Sequence, residues 1–345
     1  MTDGWSATAR SLATVAAGGL GGALFDLLHM PVPWLSGSML TIGALTMTGV
    51  PVALTPLMRD IGLLFAGASL GSTVTPEALQ TIARYPYSLI GLALSAALTV
   101  AAAKTILERV YGWDRATAYL AAVPGALSMV MALAAESTGD VRRIAMVQAI
   151  RLFALVAVLP LAITSTMPTH APAAHAVIDA GGMAVVFAAS LTLASVMRRL
   201  KFANPLFMGG MVASTLLHVS DTLSGDLPPP LTVAGLVLIG IFAGIRFKGA
   251  TPRHLLETLA PGLVSLSVAL AMSLGIGYLV YRATGLRLAE VLVAFAPGGL
   301  EAMVMVGASL GLDMLYISTH HVLRAVGLNM VAPLFAPPRA DAGRD

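Results

Sequence analysis

The sequence predicts an all-α polytopic membrane protein made of two homologous repeats, inverted relative to one another. Each repeat is expected to hold about five spanning helices plus a Pro-Gly-broken segment. Three observations carry this prediction. The first is composition: the 345 residues are 57% apolar and 11% charged, with mean hydropathy +0.85, whereas soluble domains carry about 25% charged residues. The second is that about twelve apolar runs approach the roughly 20 residues needed to cross about 30 Å of hydrocarbon. The third is a duplication: VPGALSMVMALAAESTGDVRRIAMVQAIRLFALVAVLPL (123–161) returns 173 residues later as APGGLEAMVMVGASLGLDMLYISTHHVLRAVGLNMVAPL (296–334). Ungapped, 11 of these 39 positions are identical, including Pro124/Pro297, Gly125/Gly298, Asp140/Asp313, Arg151/Arg324 and Pro160/Pro333. Matched leucines prove little in so apolar a chain, but matched Pro, Asp and Arg residues in one register do.

Taken in order, the first half runs from 9 to 166 with apolar runs near 9–28, 34–50, 57–73, 86–108, 116–136 and 143–166. The opening run follows one basic residue, Arg10, and could pass for a signal peptide. The second half opens with a comparable run, so the first is read as part of the fold. Trp34, at the start of the second run, suits an interfacial anchor, and Gly37 a close helix contact. The fifth run is interrupted by Pro124-Gly125. Residues 167–173 form a short link without Lys or Arg, read as periplasmic.

The second half, 174–336, repeats the pattern near 174–197, 203–219, 231–247, 257–281, 288–310 and 314–335, before a tail at 337–345. Pro33, Gly37 and Met39 match Pro205, Gly209 and Met211. Phe65-Ala66-Gly67 matches Phe242-Ala243-Gly244, and Thr75-Pro76 matches Thr251-Pro252. The extra residues fall in SDTLSGDLPPP, where insertion is cheap.

Lys and Arg set the orientation. Were all twelve runs to cross, the halves would be parallel, with nine basic residues on each side. If each Pro-Gly-broken run does not count as a span, the halves are inverted and both termini are cytoplasmic. Fifteen basic residues then lie inside and three, Arg84, Arg282 and Arg287, outside. The positive-inside rule prefers the second arrangement.

Inverted halves with paired, interrupted segments are the pattern of secondary transporters. Pro124-Gly125 and Pro297-Gly298-Gly299 break apolar helices, and the short helix expected after each break would present unpaired N–H groups suited to an anion. Ser128 and Glu301 follow the breaks at equivalent positions. Arg151 and Arg324 lie inside apolar helices, where a charge costs about 2.5–3.5 kcal/mol on insertion scales and so faces a cavity or a partner. Two roles compete for them: binding an anionic substrate through the guanidinium fork, or structural pairing with Glu301, Glu136 or a helix C-terminus. Glu301 and His321 could couple proton movement to transport, against an internal salt bridge from Glu301 to Arg324.

Other residues have plainer readings. Asp140 and Asp313 precede helices and suit N-caps. His320 and His321 point about 100° apart on a helix, with no second His one turn away, so no metal site is expected. The chain has no cysteine, which excludes disulfides and thiolate chemistry. A net charge of +3 with no basic soluble module excludes direct nucleic-acid binding.

The runs GGALFDLLHMPVPWLSGSML and PGGLEAMVMVGASLGLDMLYISTHHVLR, with the TP turns, resemble the AbrB membrane protein family of Gram-negative bacteria. The resemblance covers nearly the whole chain and includes the duplication. The first half departs from it, with Ser128 where the second has Glu301 and Gln148 where it has His321. The family carries two labels, a regulator of gene expression and an ammonia monooxygenase. A DNA-binding role would have to be indirect, and seven histidines without a ligand pattern do not supply an oxygenase's copper or iron site.

The leading expectation is therefore a secondary-transporter-like carrier, not an enzyme. It needs no cofactor, sits in a lipid bilayer, and carries a small solute, an anionic one being suited to Arg151 and Arg324. The sequence leaves room for a homo-oligomer. The runner-up is a membrane-embedded sensor acting indirectly on gene expression. An ammonia monooxygenase-type oxygenase comes third.

Overall fold

The computed structural model describes residues 7–30, 32–72, 85–124, 130–131, 133–134, 137–166, 176–200, 204–247 and 252–335. Thirteen helices are named among them: α1 (Ala7–Leu27), α2 (Pro33–Met47), α3 (Pro56–Gly71), α4 (Tyr85–Arg109), α5 (Arg115–Ala122), α6 (Val141–Thr166), α7 (Ala180–Arg199), α8 (Pro205–Val219), α9 (Pro229–Gly244), α10 (Pro252–Thr284), α11 (Leu288–Phe295), α12 (Leu300–Ser309) and α13 (Met314–Phe335). The fold is all-α, as the composition and apolar runs predict; one isolated bridge joins Val177 to Asp226. The expected link at 167–173 and tail at 337–345 lie outside the described residues.

Among the described residues, five helices are both long and apolar enough to cross a bilayer: α4, α6, α7, α9 with its following turn, and α10. Others are shorter than the apolar runs suggested. α2 and α8 have 15 residues each, about 22 Å at 1.5 Å per residue. Their ends explain the length, because both start and stop by the same devices. Each is preceded by a residue in the left-handed region, Val32 (φ 52) or Asn204 (φ 49), followed at once by a proline. Each is closed by a left-handed residue, Gly49 (φ 82) or Asp221 (φ 53). The next amide in each then bonds back five residues, Val50 N to Leu45 O and Thr222 N to Leu217 O, both at 3.0 Å. That is the Schellman closure, which satisfies carbonyls the helix leaves open.

The chain forms two compact units, each drawn from both halves of the sequence. One comprises Met1–Ile82, Ala157–Gly249 and Val304–Leu315; the other comprises Ala83–Val156, Ala250–Met303 and Tyr316–Asp345. In the first unit α1 packs on α2 and α7 on α8, while α2 packs on α9 and α3 on α8. The close helix contact expected at Gly37 is present: a Cβ there would run into the backbone of Gly21 and Gly22 on α1. Its partner in the sequence pairing, Gly209, lies equally tight against Ala194 on α7. Trp34, expected as an interfacial anchor, packs its ring over Gly22.

In the second unit α4 packs on α10 and α5, and α10 on α11. Its core gathers Leu107, Trp113, Leu120, Ile144 and Val147. Here the two short helices α5 and α11 take shape. α5 starts at Asp114, whose carboxylate accepts from Thr117 N at 2.9 Å, and it ends at Ala122, just before Pro124. α11 ends at Phe295, just before Pro297. Proline cannot donate to the preceding turn and clashes with it, so the expected interruptions fall where the sequence put them.

Candidate functional site

Each short helix ends in carbonyls that no further turn can satisfy. Buried polar side chains from a later helix take them up. At the end of α11, the backbone turns through Ala296-Pro297-Gly298, with Gly298 N donating to Ala296 O at 2.8 Å. α12 then begins at Leu300. Arg324, on α13, donates through Nη1 to Ala296 O at 2.7 Å and more weakly to Phe295 O at 3.4 Å. Its Nη2 donates to Gly298 O at 2.8 Å and to His321 Nδ1 at 2.7 Å. His321 lies one turn back on α13, and its Nε2 donates to Val293 O at 3.0 Å. A carbonyl only accepts and a guanidinium only donates, so these partners fix His321 as the neutral tautomer protonated on Nε2.

The first half builds the same device with different residues. Gln148 Nε2, on α6, donates to Leu120 O at 3.2 Å and Val123 O at 3.0 Å. Arg151 Nη2 donates to Val123 O at 3.0 Å and to the Gln148 side-chain oxygen. Gln148 thus plays the part of His321, an equivalence the sequence register shows but whose chemistry it does not. Arg151 is 3% and Arg324 7% exposed. No carboxylate among the described residues pairs with either, and Arg151 Nη1 is buried with no hydrogen-bond partner among them.

Of the two roles the sequence left open for these arginines, pairing with a helix C-terminus is the one this geometry displays. Cations are favoured there by the helix dipole. The other role is not thereby removed, because every described partner is neutral and no carboxylate among the described residues balances the charge. Among the expected site residues, the structure brings Arg151 to the turn just before Pro124, and brings Pro297, Gly298, Arg324 and His321 together. Gly299 opens α12, its carbonyl accepting from Met303 N at 3.0 Å. Gly125, Ser128 and Glu136, and the side chain of Glu301, lie outside the described residues.

A second buried polar cluster escaped sequence reasoning. Ser88 on α4 meets Tyr316 and His320 on α13, all three essentially without exposure. His320 Nδ1 is 2.8 Å from the Tyr316 carbonyl and must donate to it. Its Nε2, 2.7 Å from Ser88 Oγ, therefore accepts from the serine in the neutral ring, and Ser88 in turn accepts from the Tyr316 hydroxyl. Tyr85 and Phe295 enclose the imidazole. Both nitrogens of both adjacent histidines are thus committed to protein partners. No group of three or more His, Cys, Asp or Glu residues able to hold a metal ion occurs among the described residues.

The Asp140 expectation also holds. Its carboxylate accepts from Arg142 N at 3.0 Å and Arg143 N at 3.1 Å, capping α6, while its own amide donates to Thr117 Oγ1 on α5 at 2.7 Å.

Fold and site together define an all-helical protein of membrane type in which buried arginines close two interrupted helices. The chain belongs to the AbrB family: the family model described as "Transition state regulatory protein AbrB" matches residues 34–337. Among its relatives, "Uncharacterized protein YhjN" of Bacillus subtilis (strain 168) is 22% identical, over 94% of this chain and 92% of that one. "Putative regulator AbrB" of Escherichia coli (strain K12) is 21% identical, over 90% of this chain and 91% of the other.

Proposed function

We propose that the protein is a secondary-transporter-like carrier of a small anionic solute, seated in the cell inner membrane with both termini cytoplasmic. The observation that carries the proposal is the pair of buried guanidinium groups, Arg151 and Arg324, whose described partners are all neutral. Burying an unneutralised cation costs several kcal/mol, and an anion entering beside it recovers part of that cost. The breaks at Pro124 and Pro297 add irregular backbone of the kind tolerated at membrane depth only where protein or water reaches it. Glu301 and His321 are assigned to proton coupling, with Ser128 beside the first break. We read the protein as a carrier rather than an enzyme, with a solute and the bilayer as its partners.

The inverted arrangement is supported by the fifteen-to-three split of basic residues, and the duplication by the matched helix pairings α1 on α2 with α7 on α8. A second reading, a membrane-embedded sensor acting indirectly on gene expression, rests on the name of the Escherichia coli relative, a putative regulator.

Proteoliposomes test the proposal. Wild-type protein is expected to move small carboxylates down an imposed gradient, and Arg324→Gln to lower that rate at least tenfold while preserving the folded state. Ligand-dependent stabilisation without flux would favour the sensor and end the carrier reading.

A further inference from the structure

Beside Arg324 lies a cavity of about 550 Å³, bounded by α4, α5 and α13. That size falls within the range of small-molecule pockets, roughly 300–1,000 Å³. Its walls are apolar, and on α4 they are lined with small side chains, including Ala93 and Ala97. From α13 the wall includes Gly327, where an added Cβ would meet nothing within 4 Å. Many of the described glycines are held by a neighbouring helix, as Gly37 and Gly209 are; Gly327, like Gly19 and Gly275, meets none. Glycine in a helix interior costs about 1 kcal/mol against alanine, and no packing contact at this position explains that cost.

The charged groups on this apolar wall are basic. Arg324 lines the cavity, is more than nine-tenths buried, and spends only Nη1 and Nη2 on its four bonds, leaving Nε outside them. Lys104 and Arg115 line the cavity too. Lys104 lies eleven residues beyond Ala93 on α4, about 16 Å along the helix. It is paired with Glu108 at 2.9 Å, whereas the charge of Arg324 meets only neutral partners among the described residues.

We infer that this cavity binds an amphipathic organic anion, a carboxylate on an apolar body of several carbons, with the carboxylate at Arg324 and the body between α4 and Gly327. The inference deepens the carrier reading and rests on it for the word solute. The binding itself does not require flux. A small hydrophilic anion would leave the apolar walls unfilled, and an amine would meet Arg324 with like charge. Lys104 and Arg115 act by drawing anions toward the cavity rather than by holding them.

The test is equilibrium binding of straight-chain carboxylates from acetate to octanoate, with octanol and octylamine as controls. The protein is held in nanodiscs of zwitterionic lipid. Affinity is expected to rise about fourfold per added methylene until the cavity is full. Octanoate should outbind octanol and octylamine at least tenfold. Gly327→Leu fills the space one turn beyond Arg324 and should reduce octanoate binding more than tenfold at unchanged or higher melting temperature. Arg324→Gln should abolish the preference for octanoate over octanol.

Equal binding of octanoate and octylamine, or no dependence on chain length, would overturn the inference. So would an effect of Gly327→Leu on oligomeric mass instead of on binding, which would make the groove a seat for a second copy. A response to phosphatidylglycerol in the nanodisc with none to octanoate would assign the groove to a lipid and equally refute it. The two proposals fail separately. Arg324-dependent flux of acetate without chain-length dependence keeps the carrier and rejects this cavity. Chain-length-dependent binding without flux does the reverse.

Discussion

Two glycine-to-alanine substitutions should shift stability in opposite directions, because the same methyl meets backbone in one place and open space in the other. In a helix interior the methyl gains about 1 kcal/mol, largely by restricting the unfolded chain. At Gly209 the added carbon would lie 2.5 Å from Ala194 N, 2.7 Å from its Cα and 2.8 Å from its Cβ. Ordinary carbon contacts sit near 3.5–4.0 Å, so α7 and α8 must part by roughly 1 Å. The obstruction is main chain, which cannot rotate aside, and this puts the cost at the upper end of the ~1–3 kcal/mol range for overpacking. Net loss at Gly209→Ala is about 2 kcal/mol after the helix gain is subtracted. Gly327→Ala should keep the full gain of about 1 kcal/mol. At about 2 °C per kcal/mol for a chain this long, the two variants should melt roughly 6 °C apart, on either side of wild type. The assay is thermal unfolding of the detergent-solubilised protein followed by intrinsic fluorescence. Stabilisation at Gly209, or destabilisation at Gly327, would refute the argument from close approach and open space.

Three further outcomes follow from local geometry. Asp140→Ala removes the cap that accepts from Arg142 N and Arg143 N and should cost about 1 kcal/mol, read as a lower melting temperature; the half-exposed ion pair to Arg143 adds little. Tyr316→Phe deletes one hydroxyl from the ring formed with Ser88 and His320 and should cost about 1 kcal/mol, while His320→Leu strands the Ser88 hydroxyl and should cost about 1–3 kcal/mol, so the order of the two melting temperatures checks the assigned donors. Because the chain has no cysteine, single cysteines placed at Gln80 and at Arg253 can be labelled with an impermeant reagent in intact cells; inverted halves require that they react from opposite sides, and labelling from one side would end that topology.

Much of the site was legible because Pro, Arg and Asp are scarce in so apolar a chain. Pro124 and Pro297 mark where α5 and α11 end, Asp140 reads as a cap, and Gly37 and Gly209 read as close contacts for want of any other role. The same scarcity singled out Arg151 and Arg324, but spacing cannot tell which backbone carbonyls an arginine reaches, so their hold on the ends of α11 and α5 needed coordinates. Ser88 gave no signal at all. It is one hydroxyl in an apolar helix, and its partners lie more than 220 residues away. The short lengths of α2 and α8 were hidden for another reason. They depend on left-handed residues, and a β-branched valine at Val32 is the last residue type from which a positive φ would be inferred. The grouping of α1–α3 with α7–α9 was likewise invisible, since a repeat in sequence says nothing about which copies of its helices pack together.

His321 carries a single ring proton and has a use for each nitrogen. One nitrogen feeds Val293; the other receives from Arg324. A second proton therefore has no lone pair to occupy until the guanidinium withdraws from Nδ1, and that same guanidinium nitrogen also grips the Gly298 carbonyl. Acid arriving at this imidazole would meet a latch already closed: the ring cannot become a cation while the arginine stays on it, so taking up H⁺ means parting Nη2 from Nδ1, while Nη1 can keep its hold on the Ala296 carbonyl.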